Sequence, residues 1–162
     1  MSAPVVHSTH LSSSHSFSKT YTPSITLVPN HGVQGDIHSG PSSDGSTNLR
    51  QVHLIAYELL SQLAAYGISV APGQLGENIT TAGLDLLNLP RGTYLYFGDK
   101  AIVQVVGVRE AGPGIERFRK GLSELVPRGV GVMGMVVGQG DVGDGDTIRV
   151  VFPDQRVPLG PV

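Results

Sequence analysis

Four short stretches of the chain carry the residue types that chemistry needs. The first is His31-Gly-Val-Gln-Gly-Asp-Ile-His38, with three possible ligands, His31, Asp36 and His38, across a glycine-rich turn. His31 and His38 can titrate near neutral pH or bind a metal. Asp36 can accept hydrogen bonds from the ring nitrogens of a ligand or orient a histidine. Gly32 and Gly35 permit a tight turn and close approach of a ligand to main-chain N–H groups. The same residues could equally tie a loop together. As a divalent-metal site the trio lacks the two close ligand pairs of a zinc pattern.

The second stretch, Asn48-Leu-Arg-Gln-Val-His53, offers Arg50 as a forked partner for a phosphate or carboxylate. A surface ion pair is the plainer role for Arg50, and a satisfied, partly buried histidine the plainer role for His53. The third, Pro72-Gly-Gln-Leu-Gly-Glu-Asn-Ile-Thr80, places Glu77 and Asn78 between a glycine and an apolar strand start. Glu77 could serve as a general base and Asn78 as an amide that reads a ligand ring. An Asx-type turn entering a strand is the alternative. In the fourth, a strand ends at Arg109 and opens into a Gly/Pro-rich loop, where functional groups are often carried. Arg117, Arg119 and Lys120 follow and read as a solvated face. Gly138 to Asp146 lacks the ligand spacing of a calcium loop and reads as a plain turn.

The elements that must position these residues are mostly strands. Ile25 and Leu27 alternate with polar neighbours in a strand from Ser24 to Val28. Further strands are expected at 78–81, 94–97, 101–108, 130–137 and 147–152. The best helix runs from Ala56 to Tyr66, with Leu59, Leu60, Leu63 and Ala64 at helical spacing and Gly67 at its end. Residues 114–121 allow one helical turn. The Ser- and His-rich first 20 residues read either as a loose tail or as a short strand pair using Val5, Val6 and Phe17. These spacings predict a mainly β fold, a barrel or curled sheet with one main helix, in a single domain over residues 1–162.

Composition removes several functions. The formal charge is −2, so no general positive field holds a nucleic-acid backbone. Arg50, Arg109, Arg117, Arg119, Lys120 and Arg128 can still build a local anion pocket. Cysteine is absent, which excludes disulfides, thiolate metal ligands, persulfide carriers and cysteine nucleophiles. No apolar run approaches the roughly 20 residues of a membrane helix. The N-terminus has neither the basic start nor the apolar core of a secretory signal, so a soluble, cytoplasmic protein is expected.

The segments GVQGDIHSG, NLRQVHLIAYELL, PGQLGENITTAGLDLLNLPRGTYLYFGD and RGVGVMGMVVGQG, in this order, resemble the MOSC domain, named for the C-terminal part of molybdenum-cofactor sulfurases. The match runs from about His15 to Ile148 and is closest in kind to small stand-alone members. The resemblance implies a β-barrel-like fold with a polar cleft for the pterin cofactor of molybdenum or a related anion. It also implies a cysteine after an Arg-x-Pro step, ligating molybdenum or carrying sulfur. Here that run is Arg109-Glu110-Ala111-Gly112, so Gly112 stands at the cysteine position. Glycine can neither ligate metal nor transfer sulfur. The remaining cleft positions implied by the family pattern are Lys19, His31, Asp36, His38, Arg50, Glu77, Asn78, Arg109 and Arg128. The loop between Gly40 and Asn48 is shorter than usual.

Two functions compete. One is a holder of molybdenum cofactor, or of a similar phosphorylated heterocycle, without the sulfur chemistry. The other is an enzyme that uses His38, Glu77 and His31 for metal-independent elimination, cyclisation or isomerisation of a small anionic molecule, clamped by Arg50 or Arg109. Either partner is a small molecule rather than nucleic acid or membrane, and exposed strand edges could support a homodimer.

Overall fold

The computed structural model describes residues 3–162. Strands dominate. An eight-stranded sheet takes its strands in the order 148–151, 94–97, 101–109, 131–138, 52–56, 79–82, 5–11 and 20–22, and a three-stranded sheet in the order 140–143, 24–28 and 32–33. The strands are β1 (Val5–Leu11), β2 (Thr20–Thr22), β3 (Ser24–Val28), β4 (Gly32–Val33), β5 (Val52–Ala56), β6 (Ile79–Ala82), β7 (Tyr94–Phe97), β8 (Ala101–Arg109), β9 (Gly131–Gly138), β10 (Gly140–Gly143) and β11 (Ile148–Val151). Helices are few: α1 (Tyr57–Ala65), α2 (Pro113–Phe118), α3 (Leu122–Leu125) and a 3-10 turn at Leu86–Asn88.

The large sheet curls because both of its long central strands are apolar on the inward face. In β8, Ala101, Val103 and Val105 are buried and alternate with half-buried neighbours. Its partner β9 meets it antiparallel, with Val103 opposite Val136 and Arg109 opposite Gly131. Gly134 is required at this contact: a Cβ there would lie 2.4 Å from Val103 Cγ1. The curl brings Val5 opposite Thr147, just before β11, and Val6 N–H donates to the Asp146 carbonyl at 2.8 Å. That closing contact is an isolated bridge, so the sheet is barrel-like without a continuous closing ladder.

Two apolar clusters fill the molecule. Leu27, Leu54, Ile79, Leu95, Val103 and Val132 pack inside the curl. Ile55, Leu60, Leu63, Leu75, Ile115 and Leu122 pack between the sheet and the helices. Each such side chain contributes about 1.5–3 kcal/mol when taken from water. The helix α1 presents Leu60 and Leu63 to this second cluster, and Gly67 turns the chain at φ 83°. With β5 and the parallel β6 it forms a β–α–β crossover, Leu54 lying opposite Ile79.

The expected strands 24–28 and 94–97 and the expected helix are present with boundaries within a residue. Beyond the short strands Thr20–Thr22 and Gly32–Val33 and the short helix Leu122–Leu125, none of which was expected, three segments bear on the architecture. Val52–Ala56 is a strand, not a simple lead-in to the helix, because four of its five residues are buried between β6 and β9. Gly140–Gly143 is a strand paired with β3, not a turn. Its Val142 is fully buried and Asp141 accepts from Thr26 Oγ1 at 2.7 Å. At the N-terminus the strand alternative holds for Val5–Leu11, whereas Phe17 lies in a loop.

Candidate functional site

A cleft of about 200 Å³ is lined by Ser16, Phe17, His38, Arg50, His53, Gly76, Asn78, Arg109 and Met133. The sheet builds it. Strand β5 carries His53, with Met133 of β9 opposite it, and Arg109 stands at the end of β8. Asn78 immediately precedes β6, and Arg50 lies in the turn that leads into β5. Four of the residues expected from sequence thus meet here: His38, Arg50, Asn78 and Arg109.

Arg109 is the centre of the cleft. One terminal nitrogen donates to the Leu75 carbonyl at 2.5 Å and to His53 Nδ1 at 3.0 Å. Its guanidinium lies 5.6 Å from the centroid of the Phe17 ring. Burial, reinforced by the charge of Arg50, lowers its pKa to about 10, so it remains cationic at neutral pH. His53 is held well below the ordinary imidazole value by burial and then by the Arg109 charge. It is neutral and acts as an acceptor. Arg50 is exposed and donates to the Val162 carbonyl at 2.8 Å. Among the described residues no carboxylate side chain lines the cleft.

Asp36 and Lys19 lie behind this wall as a buried pair. Lys19 Nζ donates to both carboxylate oxygens, at 2.8 and 2.9 Å, with the two side chains 2% and 0% exposed. Asp36 also accepts from the Ser12 N–H at 3.0 Å, the His38 N–H at 3.1 Å and Asn78 Nδ2 at 3.3 Å. Burial alone would raise its pKa. The Lys19 bond and the two N–H groups outweigh burial and hold the carboxyl below its usual value. Asn78 completes the frame by donating to the His10 carbonyl and accepting from the His53 N–H. The polar atoms of Asp36 and Asn78 are therefore engaged with the protein itself.

His38 stands exposed at the rim, its pKa lowered by partial burial and by Lys19, so it is largely neutral near pH 7. Glu77 is fully buried. Oε2 accepts from Thr80 Oγ1 at 2.9 Å, Oε1 has no partner among the described residues, and burial raises its pKa. His31 is half-buried in the β3–β4 turn, where its carbonyl accepts from the Gly40 N–H. Among the described residues no group of three or more His, Asp or Glu is arranged to hold a metal ion. Gly112 is exposed at the start of α2, and a Cβ there would meet nothing within 4 Å.

Arg128 lies elsewhere. It donates to Asn88 Oδ1 at 2.5 Å and borders a larger cavity of about 470 Å³ between α1 and the 3-10 turn. That cavity carries Glu58 and Asp85 against the single arginine. Five lining residues, Ser16, Phe17, His53, Gly76 and Met133, were not among those expected from sequence. Phe17 carries no signal in a serine-rich stretch, and His53 reads as an ordinary buried histidine because its bond to Arg109 spans 56 positions.

The MOSC domain family model matches residues 34–149, more than half of the chain. The chain belongs to the MOSC domain family. Its fold is similar to that of the YuaD protein from Bacillus subtilis, at 19% identity and a TM-score of 0.77, covering 92% of this chain and 96% of that one. It is also similar to YiiM from Geobacillus stearothermophilus (17% identity, TM-score 0.71, 91% and 75% covered). YiiM from Escherichia coli matches comparably (21% identity, TM-score 0.70, 98% and 74% covered). No curated protein matches the sequence at a significant level. No helix among the described residues is long and apolar enough to cross a membrane.

Proposed function

We propose that this MOSC protein holds a small anionic heterocycle, of the class of the molybdenum pterin cofactor, and performs no cysteine-based sulfur transfer. One observation carries this reading: two guanidinium groups, Arg50 and Arg109, face a cleft lined by no carboxylate side chain among the described residues. A cationic cleft partly shielded from water binds anions far more strongly than an exposed lysine does. Arg109 is aimed by neutral acceptors and keeps its full charge for a ligand.

The donor set suits one part of the cofactor and not another. Arg50 and Arg109 would hold its phosphate, and His38 and Ser16 could donate to or accept from the ring at the rim. The metal finds no thiolate, because Gly112 occupies the cysteine position of the family pattern and the chain contains no cysteine. When bound, the cofactor supplies a redox-active metal. The residues of this chain bind and orient it.

The acid–base alternative on a small anionic molecule draws less support from the geometry. Glu77 is sealed from solvent and His31 does not line the cleft, which leaves His38 as the accessible titratable group. The test is calorimetric titration of the untagged protein with released molybdenum cofactor and with pterin-6-carboxylate, in wild type and Arg109→Gln. Micromolar binding that the variant loses is expected. Absence of binding to both molecules would overturn the reading, and turnover abolished by His38→Asn would favour the enzyme.

A further inference from the structure

At about 200 Å³ the cleft falls short of the roughly 300–1,000 Å³ typical of ligand pockets. One side chain lies at its boundary with a second space. Phe17 is shared by this cleft and a second cavity of about 280 Å³, lined by Phe17, Ser18, Gly114, Arg117 and Phe118. Neither space reaches the usual range alone. Joined, they do.

The Phe17 ring is seated as a divider. It stacks on Phe118 with centroids 5.6 Å apart and planes inclined by 24°. Gly114 makes the seat, since a Cβ there would come within 3.0 Å of the ring. The loop that bears it is held by other groups. Ser12 and Ser16 share a hydroxyl bond of 2.8 Å, Ser16 Oγ donates to the Ser18 carbonyl at 2.9 Å, and Ser18 Oγ donates to the Gln74 carbonyl at 2.7 Å. Rotation of the Phe17 side chain breaks none of these bonds. It forgoes the stack on Phe118 and the contact with the Arg109 guanidinium, both of which a ligand ring lying against Phe118 would replace. Beyond the divider stands Arg117, exposed and without an ion pair or side-chain hydrogen bond among the described residues.

We propose that Phe17 divides one elongated site, and that the site takes a planar ring with anionic groups at both ends. One anion meets Arg50 and Arg109. The ring displaces that of Phe17 and lies against Phe118, and the second anion meets Arg117. This rests on the anion-holder reading above and adds the shape and charge of the ligand to it.

The probes are 2-naphthalenesulfonate and 2,6-naphthalenedisulfonate, which differ only in the second anion. Fluorescence titration of the wild type should show the disulfonate binding about tenfold tighter, the size of one charge-assisted hydrogen bond. Arg117→Gln should remove that advantage and leave the monosulfonate unchanged, and Phe17→Ala should tighten both probes. Equal affinities in the wild type, or an advantage that survives Arg117→Gln, overturn the proposal. If the monosulfonate binds in an Arg109-dependent way and the disulfonate gains nothing, this inference fails while the holder reading stands. If neither probe binds, both fail. Should Phe17→Ala not fold, the Arg117→Gln comparison, made at an exposed position, decides alone.

Discussion

The Arg109 guanidinium donates to His53 Nδ1 across 3.0 Å, and this bond fixes the chemistry of both groups. Arginine cannot accept a hydrogen bond, so His53 must present a bare Nδ1 and carry its proton on Nε2. A protonated His53 would set two cations against each other in a buried wall. Burial and the Arg109 charge both hold the imidazole neutral. A buried histidine that sequence alone assigns to structure therefore aims the principal cation of the cleft.

Replacing His53 by leucine should leave the fold intact and remove the acceptor that orients Arg109. Anion binding then weakens by about tenfold, the value of one hydrogen bond to a charged group. Arg109→Gln should lose more, because the charge itself goes. Calorimetry with pterin-6-carboxylate on the three proteins gives the order. Equal affinity of wild type and His53→Leu would show that Arg109 is aimed by the Leu75 carbonyl alone.

The Lys19–Asp36 pair predicts a stability effect of a different kind. Lys19→Met leaves a buried carboxylate without its cation, a loss of about 3–5 kcal/mol. Lys19→Met with Asp36→Leu should recover only part of it, since the N–H groups of Ser12 and His38 and the Asn78 amide lose their acceptor. Urea midpoints of the single and double variants measure both. A double variant as stable as wild type would mean that these donors find other partners.

The sheet was legible where one face is wet. Ile25 and Leu27 carry the period-2 signal of a half-buried strand, and Ala101 to Val108 reads as an apolar run broken only by Gln104. Val52–Ala56 has no alternation, because both of its faces are covered, and its apolar run merges into that of α1. Gly140–Gly143 has turn composition, and Val142 is the one of its four residues that is buried. For the site, strand-end logic reached Arg109 and its loop. Proximity across the fold remained hidden: Lys19 and Asp36 are 17 positions apart and His53 and Arg109 are 56. No local pattern encodes such pairings. In the Glu77-Asn78 step the polar groups turn inward, Glu77 toward Thr80 and Asn78 toward Asp36.

His10 predicts a pH dependence. Its ring is fully buried, neither nitrogen has a partner among the described residues, and burial lowers its pKa from 6.5 to about 4. Between these values the unfolded chain holds a proton that the folded protein does not. Stability therefore falls as pH drops from 6.5 toward about 4 and is fully present above 6.5. His53 acts in the same direction. His10→Leu removes one titrating group and two unpaired polar atoms. It should be at least as stable as wild type at pH 7, with a slope shallower by up to about 1.4 kcal/mol per pH unit in that window. Identical slopes in urea titrations at pH 7 and 4.5 would show that the ring finds a partner when protonated.

Gly112→Cys places a thiol where the resemblance to the MOSC pattern implies one. The backbone at this position is extended, φ −85° and ψ −172°, which any residue adopts, and a new Cβ meets nothing within 4 Å. Stability should change by no more than about 0.5 kcal/mol, as at other unencumbered surface sites. Because Gly112 is exposed, the new thiol should react fully with a disulfide reagent in the folded protein. Ligand affinity in the Arg109 cleft should be unchanged for pterin-6-carboxylate, which contains no metal. Molybdenum cofactor should bind more tightly to the variant than to wild type if the thiol reaches the metal. A slow, unreactive thiol would instead place residue 112 under the loop that carries Phe17, and would remove the steric basis for treating its glycine as a simple loss of the ligand.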